Sequence, residues 1–299
     1  MSNEVARVGI VVRTKNRPEF LRRTLEDIAA QTFSGWLVHI VNDGGEASAV
    51  DAILADAGAV LRGRAFVTHH DTAHGRSAAA NRGLRGLDTD YVVLHDDDDL
   101  WHPSFLQETV DWLDRHQTHV GVVTRTEIVY EAERGGRFVE VGRVPFWPDQ
   151  TGITYSALIQ VNRFVPISFL YRRAVHEEVG FYREDVHAAE DWEFNLRVAL
   201  NHTIGYLSSR PLAFWHQRAG VEGELGNSMF ALAEEHDRFD SQVRDEALRA
   251  YVRENGPGLP LYLTRFIQDE IGRQLGDRRS LGQRLTHVVR DWRRGRRRR

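Results

Sequence analysis

Four consecutive aspartates, Asp96 to Asp99, follow the apolar run Tyr91, Val92, Val93 and Leu94 with a single histidine between. A chain that ends a buried strand in so much negative charge has few ways to fold. At an effective dielectric near 20, two carboxylates ~6 Å apart repel by about 2–3 kcal/mol. The run must therefore reach a surface or a ligand, and open α/β sheets place their ligands at the C-terminal ends of strands. Two readings stay open from the run itself. One is a divalent cation held by oxygen ligands. The other is a solvated acidic turn favouring the N-terminus of a helix that begins near Pro103.

The flanking sequence has the rhythm such a sheet requires. A β-branched run at residues 8–12 precedes Pro18, and Leu21, Leu25 and Ile28 then recur at helical spacing. Residues 36–41 predict a second strand closed by the turn Asn42-Asp43-Gly44-Gly45. A helix carrying Val50, Ile53 and Leu54, a strand at 65–68, a helix over 76–87 and the strand at 91–94 follow. After the aspartates, Leu106, Val110 and Leu113 mark another helix. Strands alternating with helices predict an α/β chain whose mostly parallel sheet is covered on both faces. From Val120 the pattern changes to a hairpin (120–130 and 137–144), a strand at 164–171, a helix from about Ala189, and short strands at 204–207 and 212–215. Beyond Gly226 the spacing is helical, broken at Asn255-Gly256-Pro257-Gly258.

At 299 residues this organisation predicts one globular domain over 1–220 and a helical extension over 221–299. Cysteine is absent, which excludes a disulfide framework and is compatible with a reducing compartment. Glu4 and Arg7 before the first apolar run do not make a signal peptide, and no stretch approaches ~20 apolar residues, so a cytoplasmic protein is expected. The formal charge of −4 hides an asymmetry: from Arg284 onward eight arginines face one acid, Asp291. Leu281, Leu285, Val288, Val289 and Trp292 would share one helical face with arginines opposite. Such an arm can lie on an anionic membrane surface at about 1 kcal/mol per basic residue, pack on the domain with a solvated tail, or bind RNA. The expectation carried forward is peripheral attachment to the inner face of the membrane, with no nucleic-acid partner.

Several polar residues fall just after the strand-like runs. Thr14 and Asn16 follow the first, Asp43 the second and the acidic run the fourth, so a doubly wound sheet brings them to one edge. Asp43 can accept hydrogen bonds from a nucleoside or simply close its turn. Arg76, preceded by Gly75, can face a diphosphate at a helix N-terminus or sit on a solvated helix face. Glu190-Asp191 opens a helix, where acids are favourable without any further role. His216 closes the last strand-like run and suits either a metal ligand or a buried structural histidine. Trp101 and Trp147 can stack on sugar faces, Trp101 being equally at home in a core.

In this order and spacing the chain resembles a family 2 glycosyltransferase of the GT-A fold over roughly residues 6–217. The strings that carry the resemblance are VVRTKNRPEFLRRTLEDIAAQTF, HIVNDGG, HGRSAAANRGL, YVVLHDDDDLWHPSFL and VGFYREDVHAAEDWEFNLRVAL. The resemblance implies that Thr14, Asn16 and Asp43 hold base and ribose, with Arg17 and Asp97 on the same nucleotide side. Arg76 and Asn81 would lie near base or diphosphate. Asp96 and Asp98 would be the two acids of an Asp-x-Asp motif, Asp98 touching Mn²⁺ or Mg²⁺ directly and His216 as a third ligand. The register can also be read as Asp97 and Asp99. Asp191 would be the general base of an inverting transfer, with Glu190 and Trp101 near it on the acceptor side. The donor expected is a nucleoside-diphosphate sugar, most simply a UDP-sugar. The acceptor would be a carbohydrate or lipid-linked hydroxyl in polysaccharide or glycolipid assembly, and the loop from Asp149 to Phe164 would close over the donor. A sugar nucleotidyltransferase would need a glycine-rich triphosphate loop where this chain has Arg13-Thr14-Lys15-Asn16-Arg17. A non-catalytic nucleotide- or glycan-binding module is the remaining alternative, and Asp191 beside an intact acidic run argues against it.

Overall fold

The computed structural model describes residues 6–221, 223–227 and 233–277. Its first four strands, β1 (Val8–Thr14), β2 (Trp36–Asp43), β3 (Ala65–His70) and β4 (Tyr91–Asp96), pair in parallel in the order β3-β2-β1-β4. Helices α1 (Pro18–Ala29), α2 (Ala47–Asp56) and α3 (Arg76–Arg85) make the crossovers. The chain runs outward from β1 to β3, then returns to lay β4 on the other side of β1. That reversal is the switch point at which α/β sheets open a ligand crevice. The register pairs Arg13 with Asp96, so the end of β1 faces the start of the acidic run.

Beyond β4 the sheet becomes mixed. β5 (Leu100–Trp101) and α4 (Phe105–Arg115) lead into the long β6 (His119–Arg134), which forms a hairpin with β7 (Arg137–Pro145). After the short α5 (Tyr155–Leu158), β8 (Phe169–Arg172) inserts antiparallel between β4 and β6. The short α6 (Val175–Val179) and α7 (Glu190–Asn201) precede β9 (Thr203–Gln217), which runs parallel to β6. The strand expected at 164–171 is shorter because Pro166, which has no N–H to give a ladder, opens a 3₁₀ turn at Pro166–Ser168. The two strands expected at 204–207 and 212–215 are one, since register shifts around Arg125 absorb the break at Pro211.

Alternation along the strands fills two cores. Val8, Ile10, Val12, Tyr91 and Val93 pack with α1, α2 and α4, while Val11, Val92 and Leu94 pack on the opposite face with α3 and α7. α1 shows why the helices form as they do. Pro18 presets its first turn, and Leu21, Leu25 and Ile28 bury one stripe at roughly 1.5–3 kcal/mol each. On the other face, a Cβ on Gly83 would sit 2.3 Å from Val11 Cγ1, so only glycine lets α3 come this close to β1.

The chain divides into a compact unit of residues 1–240 and a second of 241–299. The first contains the sheet and the start of α8 (Ala233–Asn255). The second holds the rest of α8 and α9 (Gly258–Asp277), with the expected break between them. Among the described residues no helix is long and apolar enough to cross a membrane. The arm that carries Leu281 to Trp292 and the arginine run lies outside the described residues.

Candidate active site

The crevice at the switch point is floored by the acidic run and held by guanidinium groups. Asp96 accepts from Arg13 Nε at 2.9 Å, and Arg13 Nη1 also lies 3.5 Å from Glu190 Oε1. Burial alone would make Arg13 easier to deprotonate, but Asp96 and then Glu190 raise its pKa instead. Asp97 accepts from Thr14 Oγ1 at 2.7 Å and lies 3.2 Å from Arg17 Nη1. Asp98 is gripped by Arg17 and Arg218, with Asn227 Nδ2 at 3.2 Å. Asp99 Oδ1 accepts the backbone N–H of His216 at 2.8 Å.

These surroundings separate four chemically identical acids. Burial pushes Asp97 up to about 7 despite Arg17. Burial also acts on Asp98, yet Arg17 and then Arg218 hold it below the usual carboxylate range. Asp99 is raised well above that range by burial and by the charges of Asp98 and Asp96. Asp96 keeps the most access, its side chain being 31% exposed.

Behind the run, Glu131 binds Arg218 Nη1 at 3.0 Å and Arg23 Nη1, while Arg23 Nη2 donates to the Asp98 carbonyl at 2.8 Å. Arg218 is fully buried and also donates to the Leu225 carbonyl, tying the segment after β9 to the acids. At the far wall, Asp43 Oδ1 accepts from His70 Nδ1 at 2.8 Å and His74 N at 2.9 Å, and its Oδ2 accepts from Gly75 N at 2.8 Å. These donors hold Asp43 below its ordinary pKa against the effect of burial. Gly44, at φ +75°, lets this turn close on the 72–75 loop, since a Cβ there would meet Ala73 N at 2.4 Å.

Two adjoining cavities open from this floor. The first, of about 450 Å³, is lined by Thr14, Arg17, Asp43, Arg76 and all four aspartates. The second, of about 400 Å³, is lined by Trp147, Asn162, Pro166, Glu190, Asp191 and Trp215, among others. Arg13, Arg76, Asp96, Asp99 and Trp215 belong to both. Ala189, in the left-handed region at φ 63°, turns the chain so that α7 begins with Glu190 and Asp191 at this boundary. Glu190 binds Arg76 Nη2 at 3.1 Å. Asp191 Oδ2 accepts from Asn162 Nδ2 at 2.8 Å, and Asn162 Oδ1 accepts from Asn195 Nδ2 at 3.2 Å. Burial first and Glu190 second push Asp191 up to about 6. A carboxyl poised there is ionised at neutral pH and still basic enough to take a proton.

The crevice therefore brings together Thr14, Arg17, Asp43, Arg76, the acidic run, Glu190 and Asp191. Four expected residues stand elsewhere. Asn16, at φ 53°, accepts from Glu46 N at 2.9 Å and braces the turn after β2. Asn81 is buried and joins α3 to Tyr182 and Glu184. Trp101 is core: it stacks on Phe105 at 4.5 Å and donates Nε1–H to the Ile167 carbonyl. It is not an acceptor contact, because the aspartate turn directs β5 inward. His216 lies behind the run. Its neighbours Trp215 and Gln217 line the first cavity, and strand alternation sends the imidazole to the other face, with Nδ1 3.1 Å from the Phe214 carbonyl. Burial lowers its pKa to about 4.

Sequence reasoning missed Arg13, Arg23, Glu131, Arg218, Asn162 and Asn227. Only Arg13 left a signal, as a cation that continues the inward parity of a β-branched strand. As for metal, the oxygen-rich donor set suits a hard divalent cation. Among the described residues no three acidic or histidine side chains converge as a ready cluster, since Asp98 is held by the two guanidinium groups.

The glycosyl transferase family 2 model matches residues 9–180. The uncharacterized glycosyltransferase YwdF of Bacillus subtilis (strain 168) is 30% identical over 199 residues, 66% of this chain and 70% of that protein. The S. aureus TarS 1–349 structure in complex with UDP-GlcNAc superposes with a TM-score of 0.56 at 19% identity, over 85% of this chain and 75% of that one. A longer TarS chain is covered to 45%. The mannosyltransferase PcManGT from Pyrobaculum calidifontis, in complex with GDP-Man and Mn²⁺, gives 0.58 at 18% identity, over 96% of this chain and 80% of that one.

Proposed function

The chain belongs to glycosyl transferase family 2 and has the GT-A fold, and from that premise we propose that it moves a sugar from a nucleoside-diphosphate donor to an acceptor hydroxyl with inversion at the anomeric carbon. One observation carries the reading: Asp191 stands in a cavity that shares its wall with the aspartate-floored crevice. The donor would lie over the floor, its nucleoside toward Thr14 and Asp43 and its diphosphate toward Arg76. Asp191 takes the acceptor proton as the acceptor oxygen bonds to the anomeric carbon. The bond from that carbon to the diphosphate breaks, and nucleoside diphosphate leaves. Asn162 fixes Asp191 Oδ2 by its 2.8 Å bond and so orients the carboxylate that would meet the acceptor hydroxyl. Asp96, the most open of the four, would hold a Mn²⁺ or Mg²⁺ ion together with Asp98, which would have to exchange a guanidinium partner for it, and such an ion stabilises charge on the departing diphosphate when bound. Structural neighbours that bind UDP-GlcNAc, or GDP-Man with Mn²⁺, support a nucleotide-sugar donor and a divalent cation.

The test is release of nucleoside diphosphate from a panel of UDP- and GDP-sugars, with and without Mn²⁺, and the anomeric configuration of the product by NMR. Asp191→Asn and Asp98→Ala are expected to lose turnover at least a hundredfold, roughly 3 kcal/mol of transition-state stabilisation. Parent-like turnover in either variant, or a retained configuration, removes the corresponding assignment. The arginine-rich sequence after Arg284 supports docking to an anionic membrane that presents a lipid-linked acceptor. Deleting residues 280–299 should lower partition onto anionic liposomes and spare transfer to a soluble acceptor. Undiminished liposome binding by the truncated chain rejects the docking role.

A further inference from the structure

The second cavity has walls of two kinds. Phe146, Trp147 and Trp215 form an aromatic side, with Phe146 packed against Trp215 edge to face at 5.4 Å. The same cavity is lined by Asp191 and, from the first turns of α8, by Asp237 and Asp240. Two guanidinium groups reach this space, Arg13 and Arg76, and both are engaged by Glu190 at 3.5 and 3.1 Å, Arg13 by Asp96 as well. Arg163 does not line the cavity. It stacks on Trp147 at 4.4 Å and donates to the Ala157 carbonyl. His236 is held below its ordinary pKa by burial and by Arg76, so it brings no positive charge at neutral pH.

Trp147 adds an independent sign. Its φ of 49° lies in the left-handed region that large side chains rarely adopt. The conformation is pinned by Nε1–H donating to the Asn162 carbonyl at 3.2 Å, the residue whose side chain orients Asp191. Strain retained in this way at an aromatic that lines the cavity points to a residue held for contact.

We infer that this cavity takes an uncharged glycosyl ring, which stacks its apolar face on the tryptophan wall, and rejects a ring bearing a carboxylate or phosphate. The inference rests on the reading of Asp191 as the acceptor's base and adds the class of acceptor. An anionic ring would meet the carboxylates of Asp191 and Asp237 in a cavity whose two guanidinium groups are already engaged by Glu190, Arg76 being turned to the donor diphosphate besides, whereas a neutral ring presents hydroxyls that those carboxylates accept from. Like charges brought together in a partly desolvated cavity weaken binding about tenfold or more.

The experiment compares two probes of equal size, p-nitrophenyl β-glucopyranoside and p-nitrophenyl β-glucuronide, by saturation-transfer NMR and calorimetry on the full chain at neutral pH. The glucoside should bind at least about tenfold more tightly. Asp237→Asn with Asp240→Asn should narrow the gap, Asp237→Lys with Asp240→Lys should close or invert it, and Trp147→Ala should weaken both probes. Equal or tighter binding of the glucuronide by the parent chain overturns the inference, as does failure of both probes to bind at millimolar concentration. A gap that the asparagine and lysine pairs leave unchanged overturns it too. The measurement needs no turnover, so a chain that prefers the glucoside yet releases no nucleotide leaves this inference standing and removes the catalytic reading instead.

Discussion

Replacing Glu190 with glutamine should shift the pH at which sugar transfer switches on to a lower value. Asp191 must be ionised to accept a proton, and burial first, then the Glu190 charge, push its pKa from 3.8 up to about 6. The parent rate should therefore climb tenfold per pH unit below that point and level off above it, with about a tenth of the plateau rate near pH 5. Glutamine removes the second of those causes. It also releases Arg76 and Arg13, now 3.1 and 3.5 Å from the Glu190 carboxylate, to draw more strongly on Asp191. Because burial is the larger cause and remains, the midpoint should fall by roughly 0.5–1 unit, about 1 kcal/mol. The assay is initial nucleoside diphosphate release from about pH 4.5 to 8 at constant ionic strength, reading the midpoint and not the height of the profile. A midpoint that stays in place or rises would falsify the assignment of Asp191 as the titrating base.

Asp191→Asn, while inactive, should be the more stable protein at neutral pH. The folded state binds this proton more tightly than the unfolded chain does, so the associated stability is present below about pH 4 and is lost as pH rises through about 6. Urea unfolding at pH 7 should show a gain of roughly 1–3 kcal/mol that vanishes near pH 4, and a loss at pH 7 would contradict the burial argument. Arg218→Met takes from Asp98 and Glu131 the buried cation they share, leaving only Arg17 and Arg23 to balance them, and should cost about 3–5 kcal/mol in the same assay. An unchanged unfolding midpoint in that variant means the pair is reached by water. Gly83→Ala drives a methyl into Val11 and should cost about 1–3 kcal/mol, which Val11→Ala in the same chain partly restores. Additive losses in the double variant would show that the close approach is not where the energy lies.

The sheet was legible because period-two and helical patterns survive in local sequence: β1 to β4 and their crossover helices fall where apolar spacing puts them. The edges were less so. The strand expected at 164–171 is shortened by Pro166, and two short strands fuse into β9, because pairing partners and bulges decide strand ends and neither is written locally. For the crevice, residues placed after strands could be found from position alone, which is why Thr14, Asp43 and the aspartates lie together. Asn81 shows the limit. It follows Arg76 on the same helix, but its rotation about α3 turns it toward Tyr182, a matter of angle and not of motif. Arg218 and Asn227 reach Asp98 from 120 and 129 positions away, and no local pattern announces such a pairing.

Arg13 answers to an acid on β4, which lines both cavities, and to another on α7, which lines the second. Neither acid can then drift on its own: a change of charge at position 96 unsettles position 190 through the cation they share. Any lineage that alters its donor preference by way of that acid inherits a disturbance beside the acceptor, and repair must come from the opposite side. Compensating pairs, and strongly non-additive double variants at 96 and 190, are the signature this arrangement would leave.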